Sequence, residues 1–295
     1  MTMRRFAASL IRVALRALFA LGVVAAAVPV AAQVAVTTNR NDLNRTGANT
    51  NETILNTSNV NVDSFGKLFS RTVDGQIYAQ PLYVPNVTIP GQGVRNVVYV
   101  ATEHNSVYAF DADDATRWAP FWEVNLGPSA ISPTNYDLVP EVGISGTPVI
   151  DQASGTMYVV AETYEIGQVV FRLHALDIAT GGAKSGSPRI IQGSVPGTSV
   201  DSVGGVLAFR ASMHFQRAGL LLLNGAVYVA FGSHQDTQPF HGWLFAYDAT
   251  TLLQTAIKCF SPDTHSVGLW QGGSRPHRRC RRLHLRADRQ RSVHG

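Results

Sequence analysis

One pattern occurs three times in this chain, and it limits the fold more than any other feature. Val97-Val98-Tyr99-Val100-Ala101 leads to Tyr108-Ala109-Phe110-Asp111-Ala112, and Met157-Tyr158-Val159-Val160-Ala161 leads to His174-Ala175-Leu176-Asp177. Val227-Tyr228-Val229-Ala230 leads to Phe245-Ala246-Tyr247-Asp248-Ala249. A repeated strand pair of this kind implies a stack of similar units rather than one irregular core. Each unit opens on a short segment led by Pro or Gly: Gln80-Pro81-Leu82-Tyr83-Val84, Gly146-Thr147-Pro148-Val149-Ile150 and Arg217-Ala218-Gly219-Leu220-Leu221. Turn residues such as Asp151 to Gly155 and Asn224-Gly225 then lead into the Tyr-Val strand, as hairpins require.

Three or four short strands per unit, with no amphipathic helix between them, predict an all-β chain of the β-propeller class with four-stranded blades. About three blades and the start of a fourth are expected. Alternation sets Tyr99, Tyr158 and Tyr228 in equivalent places between sheets, and Asp111, Asp177 and Asp248 cap tight turns with their carboxylates. Tyr99 and Tyr158 are 59 residues apart and Tyr158 and Tyr228 are 70 apart, beyond the roughly 40 to 50 of compact blades. The excess is expected in Gly127 to Val142 and Gly181 to Phe215, loops of the kind that carry binding function on rigid scaffolds.

The two ends differ from this body. Residues 1–32 join Arg4, Arg5, Arg12 and Arg16 to an apolar run closing on Val30-Ala31-Ala32, the three-part pattern of an export signal. Its apolar run is shorter than the roughly 20 residues of a bilayer span, so no membrane anchor is expected after cleavage. Residues 33–65 are Asn- and Thr-rich and read as a loop-like lead-in. The propeller body covers 66–273, and within it Lys67 to Val73 alternates like a strand ending at the Asp74-Gly75 turn. Residues 274–295 carry eight Arg, three His and one Asp without apolar periodicity. Permitted codons for Arg275 to Val293, read one base later, can spell Pro-Thr-Ala-Asp-Ala-Ala-Gly-Tyr-Ile-Tyr-Val-Leu-Thr-Gly-Asn-Gly-Ser, which resembles a fourth copy of the repeat. The tail therefore reads as an out-of-frame segment, and the chain as a truncated ring with sheet faces open to aggregation.

Charge changes meaning once the ends are set aside. The whole chain is +4, but the first 32 residues hold four Arg and the tail eight Arg and one Asp. Residues 33–273 then keep 12 basic and 19 acidic side chains, a net of −7. Such a body gives no electrostatic reason to bind nucleic acid. Only Cys259 remains in it, so no disulfide is expected to hold the fold.

The Val-Tyr-Val-Ala, Pro-x-Val and Ala-x-Asp-Ala sequence resembles the repeat of the pyrroloquinoline quinone (PQQ) propellers, found in quinoprotein alcohol dehydrogenases and in non-enzymatic propellers. Ala109-Phe110-Asp111-Ala112 with Trp122 and Leu126-Gly127 resembles the tryptophan-docking motif that joins neighbouring blades. The resemblance covers residues 66–273 and implies fold more than activity. It would bring PQQ with Ca²⁺, yet the family's adjacent cysteine pair has no counterpart, and its Glu, Asn and catalytic Asp find no matching motif. No Trp follows Asp177 or Asp248 at the docking spacing.

Candidate ligand residues are polar groups near the entrances of the inner strands. Gln80, Thr147, Arg217 and Gln271 are expected in one ring around the central channel, with Arg217 offering a fork of donors to a polar or anionic ligand. The third repeat adds His214, Gln216, His234, Gln235, Asp236, His241 and Trp243. Glu103, Glu162 and Asn105 have oxygens suited to a hard cation, but near hairpin turns they read as solvated, and no metal site is assigned. The leading reading is a secreted or periplasmic propeller that binds a small polar ligand or another protein. A fragment of a PQQ-dependent dehydrogenase and a structural propeller contacting an envelope protein are the alternatives.

Overall fold

The computed structural model describes residues 34–130 and 138–270. The segments read as signal and tail lie outside them, as do Gln271 and part of the first insertion. The described chain is all-β apart from one helical turn at Ala211–Met213.

Three antiparallel sheets follow one another in chain order. Sheet 1 comprises β1 (Leu82–Ile89), β2 (Gly93–Ala101), β3 (Ser106–Asp111) and β4 (Trp122–Asn125), and sheet 2 comprises β5 (Val149–Asp151), β6 (Thr156–Glu165), β7 (Gln168–Asp177) and β8 (Arg189–Ile190). A small hairpin, β9 (Ser194–Pro196) with β10 (Val206–Ala208), lies in the second insertion. In sheet 3 the inner edge is shared by β11 (His214–Phe215) and β12 (Leu221–Leu223), followed by β13 (Ala226–Ser233), β14 (Trp243–Asp248) and β15 (Gln254–Cys259).

The inner ladders begin later than the sequence grammar suggests, at Leu82, Val149 and Leu221. In the first two units a proline, Pro81 or Pro148, stands just before the strand and has no N–H for a ladder. Lys67 to Val73 forms no ladder at all among the described residues, a departure from its alternating sequence. In the lead-in, Val36 bridges Tyr83 and the Thr37 carbonyl accepts from the Ile150 N–H at 2.9 Å.

The sheets stack face to face because alternate residues point to opposite sides. Leu82, Val97, Tyr99 and Ala109 of sheet 1 pack on Met157, Val159, Ala161 and Leu176 of sheet 2. Tyr158, Val160, Phe171 and Leu173 on the opposite side of sheet 2 pack on Val227, Val229, Phe231, Trp243 and Phe245 of sheet 3. Each fully buried side chain of this size contributes about 1.5–3 kcal/mol, and sheet 2 is covered on both faces, with Val159 and Ala161 buried on one side and Tyr158, Val160, Phe171 and Leu173 on the other. Serial stacking of four-stranded sheets in chain order is the arrangement of propeller blades.

Polar contacts fix the register between sheets. The Tyr99 hydroxyl donates to the Ile178 carbonyl at 2.9 Å, and the Tyr158 hydroxyl donates to the Ala249 carbonyl at 2.7 Å, the same position one unit later. The Trp122 indole N–H also donates to Ile178 O at 3.0 Å, and its ring covers Gly181, where a Cβ would come within 2.6 Å of the ring. This is the docking expected of Trp122. The three aspartates cap their corners: Asp111 accepts from Asp113 and Asp114 N–H, Asp177 from Ala179 and Thr180, and Asp248 from Thr250 and Thr251, all at 2.8–3.1 Å. Tyr228 stands on the outward face of sheet 3, so only two of the three tyrosines lie between described sheets.

Candidate functional site

The inner strands bring together part of the expected ring. Asn39 of the lead-in donates through its amide to the Thr147 hydroxyl at 3.2 Å and to Gln80 Oε1 at 3.4 Å, and the Arg40 N–H donates to the same Gln80 oxygen at 2.9 Å. Gln80 and Thr147 are therefore neighbours, joined by the Asn- and Thr-rich lead-in. Arg217 is out of step with them. Leu82, Val149 and Leu221 pair with Tyr99, Tyr158 and Tyr228, so the counterpart of Gln80 and Thr147 in the third unit is Gly219, two residues beyond Arg217. The Arg217 guanidinium donates to the Ser145 carbonyl at 2.9 Å and lies 5.7 Å from the centre of the Tyr78 ring. One nitrogen of its guanidinium is thus held by a backbone carbonyl.

Glu103, Asn105 and Glu162 are fully buried, which corrects their reading as solvated. Glu103 and Asn105 lie in the β2–β3 hairpin, whereas Glu162 stands within β6 opposite Phe171. The Glu103 carboxylate accepts from the Gly143 N–H at 2.7 Å and the Ser145 hydroxyl at 2.9 Å. Burial pushes its pKa up to about 7, against the opposing pull of those donors and of Arg217. The Asn105 amide donates to the Glu162 carbonyl at 2.7 Å. Among the described residues no group of three His, Cys, Asp or Glu side chains is arranged around a cation position.

The polar cluster of the third repeat divides into three environments. Trp243 is core, and its ring stacks on Phe245. His214, expected at the channel, lies in a buried chain instead: Nδ1 faces the Arg210 carbonyl at 2.7 Å and Nε2 accepts the His241 N–H at 3.2 Å. Burial lowers its pKa to about 4. His241 in turn faces Ser261 through Nδ1 and Asp201 through Nε2 at 3.1 Å, while Arg210 pairs with Asp201 at 3.0 Å. This chain fastens the second insertion to sheet 3, which is a structural role. Gln216 is tied back to the Ala218 carbonyl, and Asp236 accepts from Ser233.

With Gln235, His234 reaches an open site. It stacks on Phe215 at 5.7 Å and lines a cleft of about 960 Å³ between sheets 2 and 3. One wall is the β6–β7 hairpin, with Glu162, Tyr164, Gln168 and Phe171, and the facing wall comes from the second insertion, with Gln192, Phe209, Arg210 and Ser212. Gln235 and Thr237 close one side. Gln235 and Asp236 both hold left-handed backbone, φ 56° and 52°, a conformation that non-glycine residues adopt at a cost and that gathers at functional loops. Phe209 is held by edge contacts to Phe231, Trp243 and Phe245 at 4.8–5.8 Å, so the aromatic floor is rigid. The sequence signal for this cleft is the pair of long insertions, since Ala130 of the first and residues 190–192 and 209–212 of the second line it.

No family model matches the chain, and no curated protein sequence matches it. Solved structures similar to it include a quinohemoprotein alcohol dehydrogenase from Pseudomonas putida, with 16% identity and a TM-score of 0.38 over 65% of this chain and 22% of that one. Another is the quinohemoprotein alcohol dehydrogenase from Comamonas testosteroni, with 17% identity and a TM-score of 0.39 over 63% and 21%. A europium-containing methanol dehydrogenase has 16% identity and a TM-score of 0.38 over 65% and 25%. The chain thus spans about a fifth to a quarter of the length of these proteins. Its own sheet order, aspartate corners and docked Trp122 make the described chain a partial β-propeller, built on a repeat similar to that of the quinoprotein propellers.

Proposed function

We propose that this chain is a ligand-binding module of an exported, secreted or periplasmic propeller, and that it holds an uncharged polar ligand between sheets 2 and 3. The observation that carries this reading is the cleft, whose volume lies within the roughly 300–1,000 Å³ typical of ligand sites. The partly exposed Phe209 ring suits the apolar face of a ligand such as a sugar. Gln168, Gln192, Ser212 and Thr237 offer both donors and acceptors for hydroxyl groups. Among the described residues no helix is long and apolar enough to cross a membrane.

A PQQ-dependent dehydrogenase fragment is the second reading, favoured by the repeat. PQQ would supply the redox chemistry when bound. The cleft does not fit this tricarboxylate: its one guanidinium, Arg210, is paired with Asp201. Titration calorimetry with neutral mono- and disaccharides tests the first reading, with saturable binding expected and a loss of about tenfold in affinity for Gln192→Ala. Heat with none of the sugars, together with PQQ- and Ca²⁺-dependent dye reduction, would replace it with the second. A stable co-purifying envelope protein without small-molecule binding would favour a structural propeller.

A further inference from the structure

The polar chain behind the cleft closes on itself as a circuit of hydrogen bonds, and two residues of the cleft wall hang on it. His214 Nε2 accepts the His241 N–H at 3.2 Å, and His241 Nε2 faces Asp201 Oδ1 at 3.1 Å. Asp201 Oδ2 accepts from the Arg210 guanidinium at 3.0 Å, and the Arg210 carbonyl lies 2.7 Å from His214 Nδ1. Because Nε2 accepts from a backbone N–H, the one proton of the neutral imidazole sits on Nδ1 and is donated to that carbonyl. The face of the imidazole is occupied as well, since Phe209 stacks on it at 4.9 Å and 28°. Phe209 and Arg210 are consecutive residues of the cleft wall. One imidazole thus grips both, the first by its face and the second by its Nδ1–H.

This bonding pattern admits no second proton. A proton on Nε2 would set an imidazolium N–H against the His241 N–H, two donors with no acceptor between them. The charge would also stand where His214 is 1% exposed, stripped of its hydration. The charged and titratable groups that face it are Arg210 and Asp201 of the second insertion and His241 from the segment before β14. Burial opposes a positive charge on His214 most, and His241 and Arg210 add to that opposition, while the Arg210 carbonyl and Asp201 act against it.

We infer that His214 is a positioning residue for the cleft: as a neutral imidazole it holds Phe209 and Arg210 in the wall, and its protonation releases them and ends ligand binding. The inference rests on the reading of the cleft as a ligand site. Only the molecules with a neutral His214 are competent to bind, so the apparent affinity follows their fraction. The cleft loads near neutral pH and empties in acid.

Maltose, a neutral disaccharide, is the probe for titration calorimetry of the full 295-residue protein between pH 7 and pH 3.5. Its affinity should fall about fourfold over this range, as the neutral fraction does for an imidazole that takes up its proton at about 4. His214→Gln keeps an uncharged donor and acceptor and takes up no proton, so its profile should be flat. His214→Ala, with neither, should bind weakly throughout. A flat profile in the parent, or a decline in His214→Gln as steep as the parent's, would overturn the inference. Ligand-free amide exchange, corrected for its intrinsic pH dependence, separates this role from the ligand reading. Protection of the His241 and Met213 amides should drop by about tenfold or more at pH 3.5 in the parent and hold in His214→Gln, while Val159 of β6 and Val229 of β13 stay protected in both. If maltose gives no heat at pH 7, the ligand reading falls and this exchange pattern alone decides the positioning role. Unchanged protection at His241, or a loss that extends equally to Val159 and Val229, would overturn it.

Discussion

The interface between sheets 1 and 2 and that between sheets 2 and 3 share one polar bond and differ in how the space beside it is filled. In both, a tyrosine hydroxyl on one sheet reaches the carbonyl just past the aspartate corner of the next. Beside that bond the first interface places Trp122 on Gly181, and the second has Leu252 at the corresponding corner position. Gly181 and Leu252 each lie four residues past their aspartate, each donates its N–H to that aspartate's carbonyl at 2.8–2.9 Å, and both hold positive φ, 72° and 55°. Glycine adopts this backbone without strain and leaves room for an indole. Leucine pays roughly 1–2 kcal/mol for it but is 1% exposed, and burying its side chain offsets that cost. The same turn thus serves two packing solutions. The second interface, without a docked tryptophan, recruits Phe209 from an insertion, and the cleft opens beside it.

The largest expected effect breaks the first solution. Gly181→Ala places a methyl into the Trp122 ring at a backbone that disfavours it, and Trp122→Ala leaves a void. Each should lower unfolding free energy by about 3 kcal/mol or more in denaturant titrations. Leu252→Ala should cost about 2–3 kcal/mol, whereas Leu252→Gly recovers about 1 kcal/mol of that through its backbone freedom. If Leu252→Gly proves the worse of the two, backbone strain is not part of the second solution.

The two interfaces also respond to acid in opposite senses. Glu103 binds its proton more tightly when folded, with a pKa raised from its ordinary 4.5 to about 7. It therefore contributes a loss of stability as pH rises through that window. His214, lowered from 6.5 to about 4, contributes a loss as pH falls through its window. Melting midpoints from pH 4 to 8 should show Glu103→Gln flattening the decline toward neutral pH, and His214→Gln flattening the decline toward acid. A Glu103→Gln profile parallel to that of the parent would remove the buried acid from the account.

The smallest effects sharpen what the interfaces share. Tyr99→Phe and Tyr158→Phe should each cost about 1 kcal/mol through the lost bond. Tyr228→Phe, at the equivalent position on the outward face of sheet 3, should fall within about 0.5 kcal/mol of zero. A Tyr228→Phe cost equal to the others would place a further partner on that face of the chain.

Much of the fold was legible because it is local. Tyr-Val alternation, the turn residues and the corner aspartates each act within a few positions, and Trp122 announced its docking by spacing. The ring of Gln80, Thr147 and Arg217 was legible only in part. A broken inner strand in sheet 3, with β11 and β12 separated, shifts the third unit by two residues and puts Gly219 where Arg217 was expected. His214 was misplaced because nothing near it in sequence shows that Asp201 and His241 close around it. The cleft was hidden for a similar reason: Glu162, Phe209 and His234 meet only when two insertions fold across sheets 2 and 3.

The most direct test of sheet-on-sheet docking in chain order is a pair of double-mutant cycles measured by denaturant unfolding. Trp122→Phe with Gly181→Ala should show a coupling of about 1 kcal/mol or more, because the two groups touch across the first interface. Trp122→Phe with Leu252→Ala should be additive within about 0.5 kcal/mol, because Leu252 belongs to the second. Additivity in the first cycle would contradict the docking of sheet 1 on sheet 2 on which the propeller rests.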